Sequence, residues 1–254
     1  MATLEQVDTG DHVCQVIDPA DDVVDRSRAF LADGALYGDK VVIVSPAVRA
    51  GSEFAPFVLD EARWEGSLLA TVRREAADAE REGFRALRVL HHVGPTRRPS
   101  HTEDLLRSEL ALEEFAADTG SMVLCAYSAA DWDLPSLQQI GCLHPHHLGT
   151  PVVPPAFRVY RTGQEGWTVN GIVDSDGAAV FGDILCTLLA QARTVRLLCH
   201  ALDFFDAAGM SALADAARHL PDRKVILEGT NETVRLAWEL SGFAVPDIPV
   251  VIAP

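Results

Sequence analysis

"SLLATVRREAADAEREGFRALRVLHH", Ser67–His92, decides the fold. Its first part reads as a helix that Gly83 stops, and its last part, Ala86–His92, as a short apolar strand. A helix that leads straight into a buried strand is half of a βαβ unit. Working outward, His12–Ile17 (HVCQVI), Lys40–Ser45 (KVVIVS) and Met122–Tyr127 (MVLCAY) have the same strand character. Helical patterns fill the gaps. One covers 20–38 and ends in Gly38; another opens with a Ser100–Glu103 capping box and closes at Gly120. Strands alternating with helices predict a mostly parallel sheet with helices on both faces, an α/β fold.

The rhythm breaks at "HPHHLGTPVVPP", His144–Pro155, whose four prolines mark a connection or an edge strand. This places the boundary between a first domain, 1–155, and a second, 156–254. In the second, Phe157–Thr162 and Trp167–Val173 read as a hairpin around "GQEG". A helix over Asp176–Ala192, a strand over Thr194–Leu202 and a helix over Ala207–Leu220 follow. Then come a strand at Lys224–Gly229, a helix capped by Asn231 and stopped by Gly242, and a last strand at Pro249–Ala253. The predicted order is ββαβαβαβ.

The chain has 254 residues, 48% of them hydrophobic, a globular composition. With 37 acidic against 21 basic residues the net charge is -16. Such a field repels phosphate backbones and acidic membranes, so neither is an expected partner. The five cysteines, scattered and odd in number, point to a reducing, cytoplasmic compartment rather than a disulfide framework. The first residues carry no signal-peptide pattern, and no apolar run is long enough to span a bilayer.

The first domain resembles MEDS, a sensory domain named for methanogens, methylotrophs and a dichloromethane-metabolism regulator. The matching stretches are "GDHVCQVID" with His12 and Cys14, "FLADGALYGDKVVIV", "EGFRALRV", "DLLRSELALEEF" with Glu109, "VLCAYSAADWD" with Cys125 and Tyr127, and "LHPHHL" with His144. That family resembles a degenerate RecA/KaiC-like nucleotide-binding fold. A phosphate-binding loop is nevertheless missing, because "SPAVRAGSE" after the second strand has no Lys and no G-x-x-x-x-G-K-[ST] pattern. Turnover of nucleotide is therefore not expected, and the fold by itself licenses no enzyme assignment.

The second domain resembles a STAS domain, the fold of bacterial anti-sigma factor antagonists. "FFDAAGMSAL" matches the central Asp-Ser-Ser-Gly-Leu motif as Asp206, Ala207, Ala208, Gly209 and Met210. "NGIVD" keeps Gly171 and Asp174 of an early motif, and "TNETVRLAWELSGF" keeps Asn231 and Gly242. The resemblance implies that Asp174 and Asp206–Met210 form a docking surface for an anti-sigma factor or a histidine-kinase-like ATPase. In the family a Ser aligned with Ala208 is phosphorylated; here Ala207 and Ala208 carry no hydroxyl. Ser211 is the nearest hydroxyl, inside the following helix.

Three groups of side chains can do chemistry. His12 and Cys14 share one strand face, and Cys125 on another strand can approach them as a soft-ligand or redox pocket. "CLHPHH", Cys142–His147, is the densest run of metal donors, but one short run supplies no closed four-ligand site, and no resident metal is expected. His91 and His92 end a strand, where open α/β sheets bind ligands, and with Arg97, Arg98 and Glu109 they form a candidate pocket; Tyr127 and His144, carried by the family resemblance, complete the ligand-sensing candidates. The charged run Glu103–Glu114 reads as a solvated helix face.

Taken together, the sequence predicts a non-enzymatic cytoplasmic signalling regulator without a cofactor. A first domain senses a small ligand or a partner, and a second, non-phosphorylatable domain docks a protein, with a homodimer as one possible assembly. The alternative is a small-molecule- or metal-binding protein or enzyme whose second domain is a scaffold or dimerisation module.

Overall fold

The computed structural model describes residues 7–45, 57–59, 67–93, 102–149, 154–163 and 166–253. The chain divides into two compact units, residues 1–100 with 111–154, and residues 155–254 with 101–110. The 101–110 stretch holds the first half of one continuous helix, Thr102–Thr119, so Glu109 and Glu113 stand on the same helix. Among the described residues, no helix is long and apolar enough to cross a membrane.

The first sheet is built from β1 (His12–Ile17), β2 (Lys40–Val44), β3 (Phe57–Leu59), β4 (Leu87–Val93), β5 (Met122–Ser128) and β6 (His146–Gly149). Their order is β3-β2-β4-β5-β1-β6, and every pairing is parallel. All six residues of β1 are buried, so this strand is covered on both faces. The helices are α1 (Val23–Arg26), α2 (Arg28–Tyr37), α3 (Leu68–Glu82), α4 (Thr102–Thr119) and α5 (Leu134–Gly141).

One expectation needs adjusting. The single helix read over 20–38 is broken at Ser27, whose buried hydroxyl donates 2.9 Å to the Gln15 side chain on β1. That tether turns the chain between α1 and α2. The proline-rich segment does supply an edge strand, β6. The short β3 and α5 had no counterpart in the reading. The α5 start is nonetheless well formed: Asp133 Oδ1 accepts 2.9 Å from the Ser136 N–H, and a proline stands in the first turn. The capping box at Ser100 and the loop "SPAVRAGSE" beyond Ser45 lie outside the described residues.

The second unit follows the predicted ββαβαβαβ order. β7 (Phe157–Arg161) pairs antiparallel with β8 (Trp167–Val173); β9 (Thr194–Phe205), β10 (Lys224–Glu228) and β11 (Val250–Ile252) continue in parallel. α6 (Ala178–Gln191), α7 (Ala207–His219) and α8 (Glu232–Leu240) separate them. On β9, Val195, Leu197 and Cys199 are buried while Thr194, Arg196, His200 and Phe204 are exposed, so one face of this sheet is covered and the other is open. Burial without a charged partner pushes the Cys199 thiol up to about 12, which makes it an inert core residue.

Candidate functional site

Parallel register gathers the first unit's polar residues onto one face of its sheet. His12 and Cys14 alternate along β1 to the same side; Cys14 is level with Cys125 on β5, and Cys125 is level with His91 on β4. Tyr127, two residues beyond Cys125, follows the same rule. His12, Cys125 and His144 are 0% exposed, and Glu109 and Glu113 only 1%. The expected solvated face on α4 is thus corrected. Glu109 and Glu113 stand one turn apart on its buried side, and Glu113 meets the histidine of β1.

The distances are short. His12 Nδ1 lies 3.1 Å from Glu113 Oε2, and His12 Nε2 lies 3.3 Å from Cys125 Sγ. His91 Nδ1 approaches Cys125 Sγ at 3.7 Å. His144, just before β6, donates from Nδ1 to the Ile140 carbonyl at 2.9 Å, since a carbonyl only accepts. Its ring stacks at 4.0 Å, tilted, against His12 and meets Tyr127 edge-on at 6.4 Å. Trp132 closes the group, edge-on to Tyr127 at 5.6 Å, with its indole N–H donating to the Val93 carbonyl at 3.3 Å.

The three sequence-level groups are therefore re-sorted. The His12–Cys125 pairing holds, with Cys14 on the same face. From the His91 group, His91 and Glu109 join, and Tyr127 joins them, whereas His92 points to the opposite face. There it shares a 3.0 Å hydrogen bond with the Ser45 hydroxyl, and burial holds its imidazole below the usual range. Arg97 and Arg98 lie outside the described residues. The Cys142–His147 run disperses: Cys142 donates to the Gln138 carbonyl, His146 reaches out to Asp11, His147 stands level with Cys14 on β1, and His144 enters the cluster. Sequence reasoning missed Glu113 and Trp132. The signal for Glu113 was its i,i+4 spacing from Glu109.

In the second unit the Asp206–Met210 loop forms the N-terminus of α7. Asp206 is its N-cap: Oδ1 accepts from the Gly209 N–H at 2.9 Å, and Oδ2 accepts from the Ser175 N–H at 3.1 Å. Asp174 caps the neighbouring turn, accepting from the Asp176 and Gly177 N–H groups at 3.1 and 3.3 Å. Gly209 and Met210 are buried, so the accessible surface of the loop comes from Ala207, Ala208 and the half-exposed Ser211. Gly209 has a packing reason: a Cβ there would lie 2.6 Å from the Phe205 ring and 2.9 Å from Val173. Ala208 and Ser211 border a groove between α6 and α7, also lined by Ala179, Gly182, Asp183 and Asp215. Replacing Asp206 by Ala removes two accepted hydrogen bonds at once. We expect a loss of about 1–2 kcal/mol, read as an earlier thermal unfolding of the second unit.

A family model described as "MEDS: MEthanogen/methylotroph, DcmR Sensory domain" matches residues 11–145. That span is more than half of the chain and contains every residue of the buried cluster. No curated protein is similar enough to the chain to count as a match.

Proposed function

Because the chain belongs to the MEDS sensory-domain family, we propose that it is a signalling regulator whose buried His12–Cys125–His144 cluster is the sensing centre. The observation that carries this reading is the cluster itself. Two imidazoles, a thiol and two carboxylates occupy an interior that apolar side chains would fill at lower cost, and they do so inside a sensory domain. Occupancy there biases the chain between a partner-binding and a non-binding state.

The output in this proposal is the STAS-like second unit, which docks an anti-sigma factor or a histidine-kinase-like ATPase through Ala207, Ala208 and the α6–α7 groove. Three observations support it: the ββαβαβαβ order, the half-exposed position of Ala208 at a helix start, and its place on the groove. Control by phosphorylation is not part of the proposal. Ala207 and Ala208 offer no acceptor, and the Ser211 hydroxyl donates to Asp215, whose carboxylate would repel a phosphate placed there.

The test uses the purified full chain against the anti-sigma factors and histidine-kinase-like ATPases of its source. One of them is expected to bind, and Ala208→Asp is expected to weaken that binding by at least about tenfold, roughly 1.4 kcal/mol, by placing a charge in the interface. Equal affinity of wild type and variant would remove the loop as the docking surface. Phospho-Ser211 by mass spectrometry after incubation with kinase and ATP would overturn phosphorylation-independent control.

A further inference from the structure

The buried cluster contains a donor set more specific than a polar core requires. One donor atom from each of His12, Glu109, Cys125 and His144 lies within 4.8 Å of the other three, and all four residues are buried. We infer that these four residues bind one divalent transition-metal ion, zinc foremost. This inference rests on the reading of the cluster as the sensing centre and names the ligand it takes.

Donor chemistry selects the metal class. Calcium and magnesium take oxygen ligands, whereas two imidazoles, a thiolate and one carboxylate suit a borderline-soft ion. Zinc bonds of about 2.0–2.3 Å place tetrahedral ligands about 3.3–3.8 Å apart. His12 Nε2 and Cys125 Sγ are already at 3.3 Å, so only the wider pairs must close, by about 1 Å.

The surroundings orient the ligands as metal sites require. His144 Nδ1 donates to the Ile140 carbonyl, so its proton is held there and Nε2 keeps its lone pair. His12 Nδ1 faces the Glu113 carboxylate, an acceptor, which places the Nε2 lone pair toward Cys125. Both histidines are thereby held in the tautomer that presents Nε2, one by a backbone carbonyl and one by a carboxylate.

Charge also balances. The Cys125 thiolate and the Glu109 carboxylate neutralise a divalent ion, and the Glu113 carboxylate outside the ligand set is held by the His12 Nδ1–H, which the bound metal polarises. On binding, the metal–sulfur bond forms and the thiol proton leaves to the buffer. Four protein ligands in a closed, buried shell leave no open coordination position, so the site holds its ion rather than activating water.

The test starts from the full chain stripped by chelator and titrated with zinc and, separately, with cobalt(II). One equivalent per chain is expected, with a thiolate-to-cobalt charge-transfer band and the intense d–d bands of a tetrahedral site. Cys125→Ser should lose the charge-transfer band, while Cys199→Ser in the second unit should keep it. Glu113→Gln should keep the band and bind about 10–100-fold more weakly. A folded wild-type chain that takes up neither metal overturns the proposal without needing any variant, as does a charge-transfer band that survives in Cys125→Ser. Partner binding measured on the same stripped and loaded samples separates the two readings. Partner binding with no metal uptake overturns the metal site alone; stoichiometric metal uptake supports the site even where no partner binds.

Discussion

Asp39→Ala is expected to cost the first unit about 3–5 kcal/mol, roughly 10 °C of melting temperature. Asp39 stands between α2 and β2 and is nearly fully buried. Its Oδ1 accepts from Arg85 Nε at 2.7 Å, and its Oδ2 accepts from Arg85 Nη2 at 2.9 Å and from Arg88 Nε at 2.6 Å. Arg88 is 2% exposed and, among the described residues, otherwise reaches the Phe30 carbonyl at 3.3 Å and the Phe30 ring. Without Asp39 its guanidinium is buried with no counter-charge, and that is the source of the cost. Burial alone would raise the Asp39 carboxyl, but the hydrogen bonds from Arg85 and Arg88 outweigh it and hold the group below its ordinary value. A lowered folded value means the contribution is complete above the ordinary carboxylate range and is lost as pH falls through the folded value. The gap between wild type and variant in chemical denaturation should therefore be widest near neutrality and shrink on acidification. A variant with unchanged stability at pH 7 would show that water reaches Arg88.

The second large effect is expected at Gly171, where Ala should destabilise the second unit by about 2–5 kcal/mol. Gly171 has φ of +86°, and a Cβ there would lie 2.2 Å from the Ala156 carbonyl oxygen. That oxygen is backbone and already accepts from the Ile172 N–H at 2.8 Å, so it has nowhere to retreat. The register between β8 and β9 also shifts between Gly171 and Ile172, which marks an irregularity that needs this conformation. Hydrogen exchange should show β7 and β8 losing protection before the first unit does, and equal protection in the variant would refute the argument.

These residues show what a sequence discloses and what it withholds. The strands were legible because β1, β2, β4 and β5 are short apolar runs, and the helices because glycines close them: Gly38 and Gly83 take positive φ. Break points set by tertiary contact were not legible. Ser27 divides α1 from α2 through a bond to Gln15, which no local pattern encodes. The cluster was half legible. Strand alternation alone put His12 beside Cys14, and the ligand-sensing candidates already included His91, Glu109, Cys125, Tyr127 and His144. Their convergence depends on which strands are neighbours, because positions 12, 109, 125 and 144 come from separate parts of the fold. Local spacing weighed Cys142–His147 as one ligand set, and the chain instead sends His144 inward and turns His146 outward.

The Asp206 carboxylate has one more consequence. It spans the turn after β8 and the start of α7, engaging the N–H groups of Ser175 and Gly209. A helix start ordinarily attracts an incoming anion because its N–H groups are vacant. Here a resident carboxylate has already filled that role. An anion brought to this helix start would meet that negative charge beside the N–H of Gly209, which is already engaged. This helix start therefore favours a partner surface that brings hydrogen-bond donors or apolar atoms over one that brings an anion, because the anion would face a charge built into the chain.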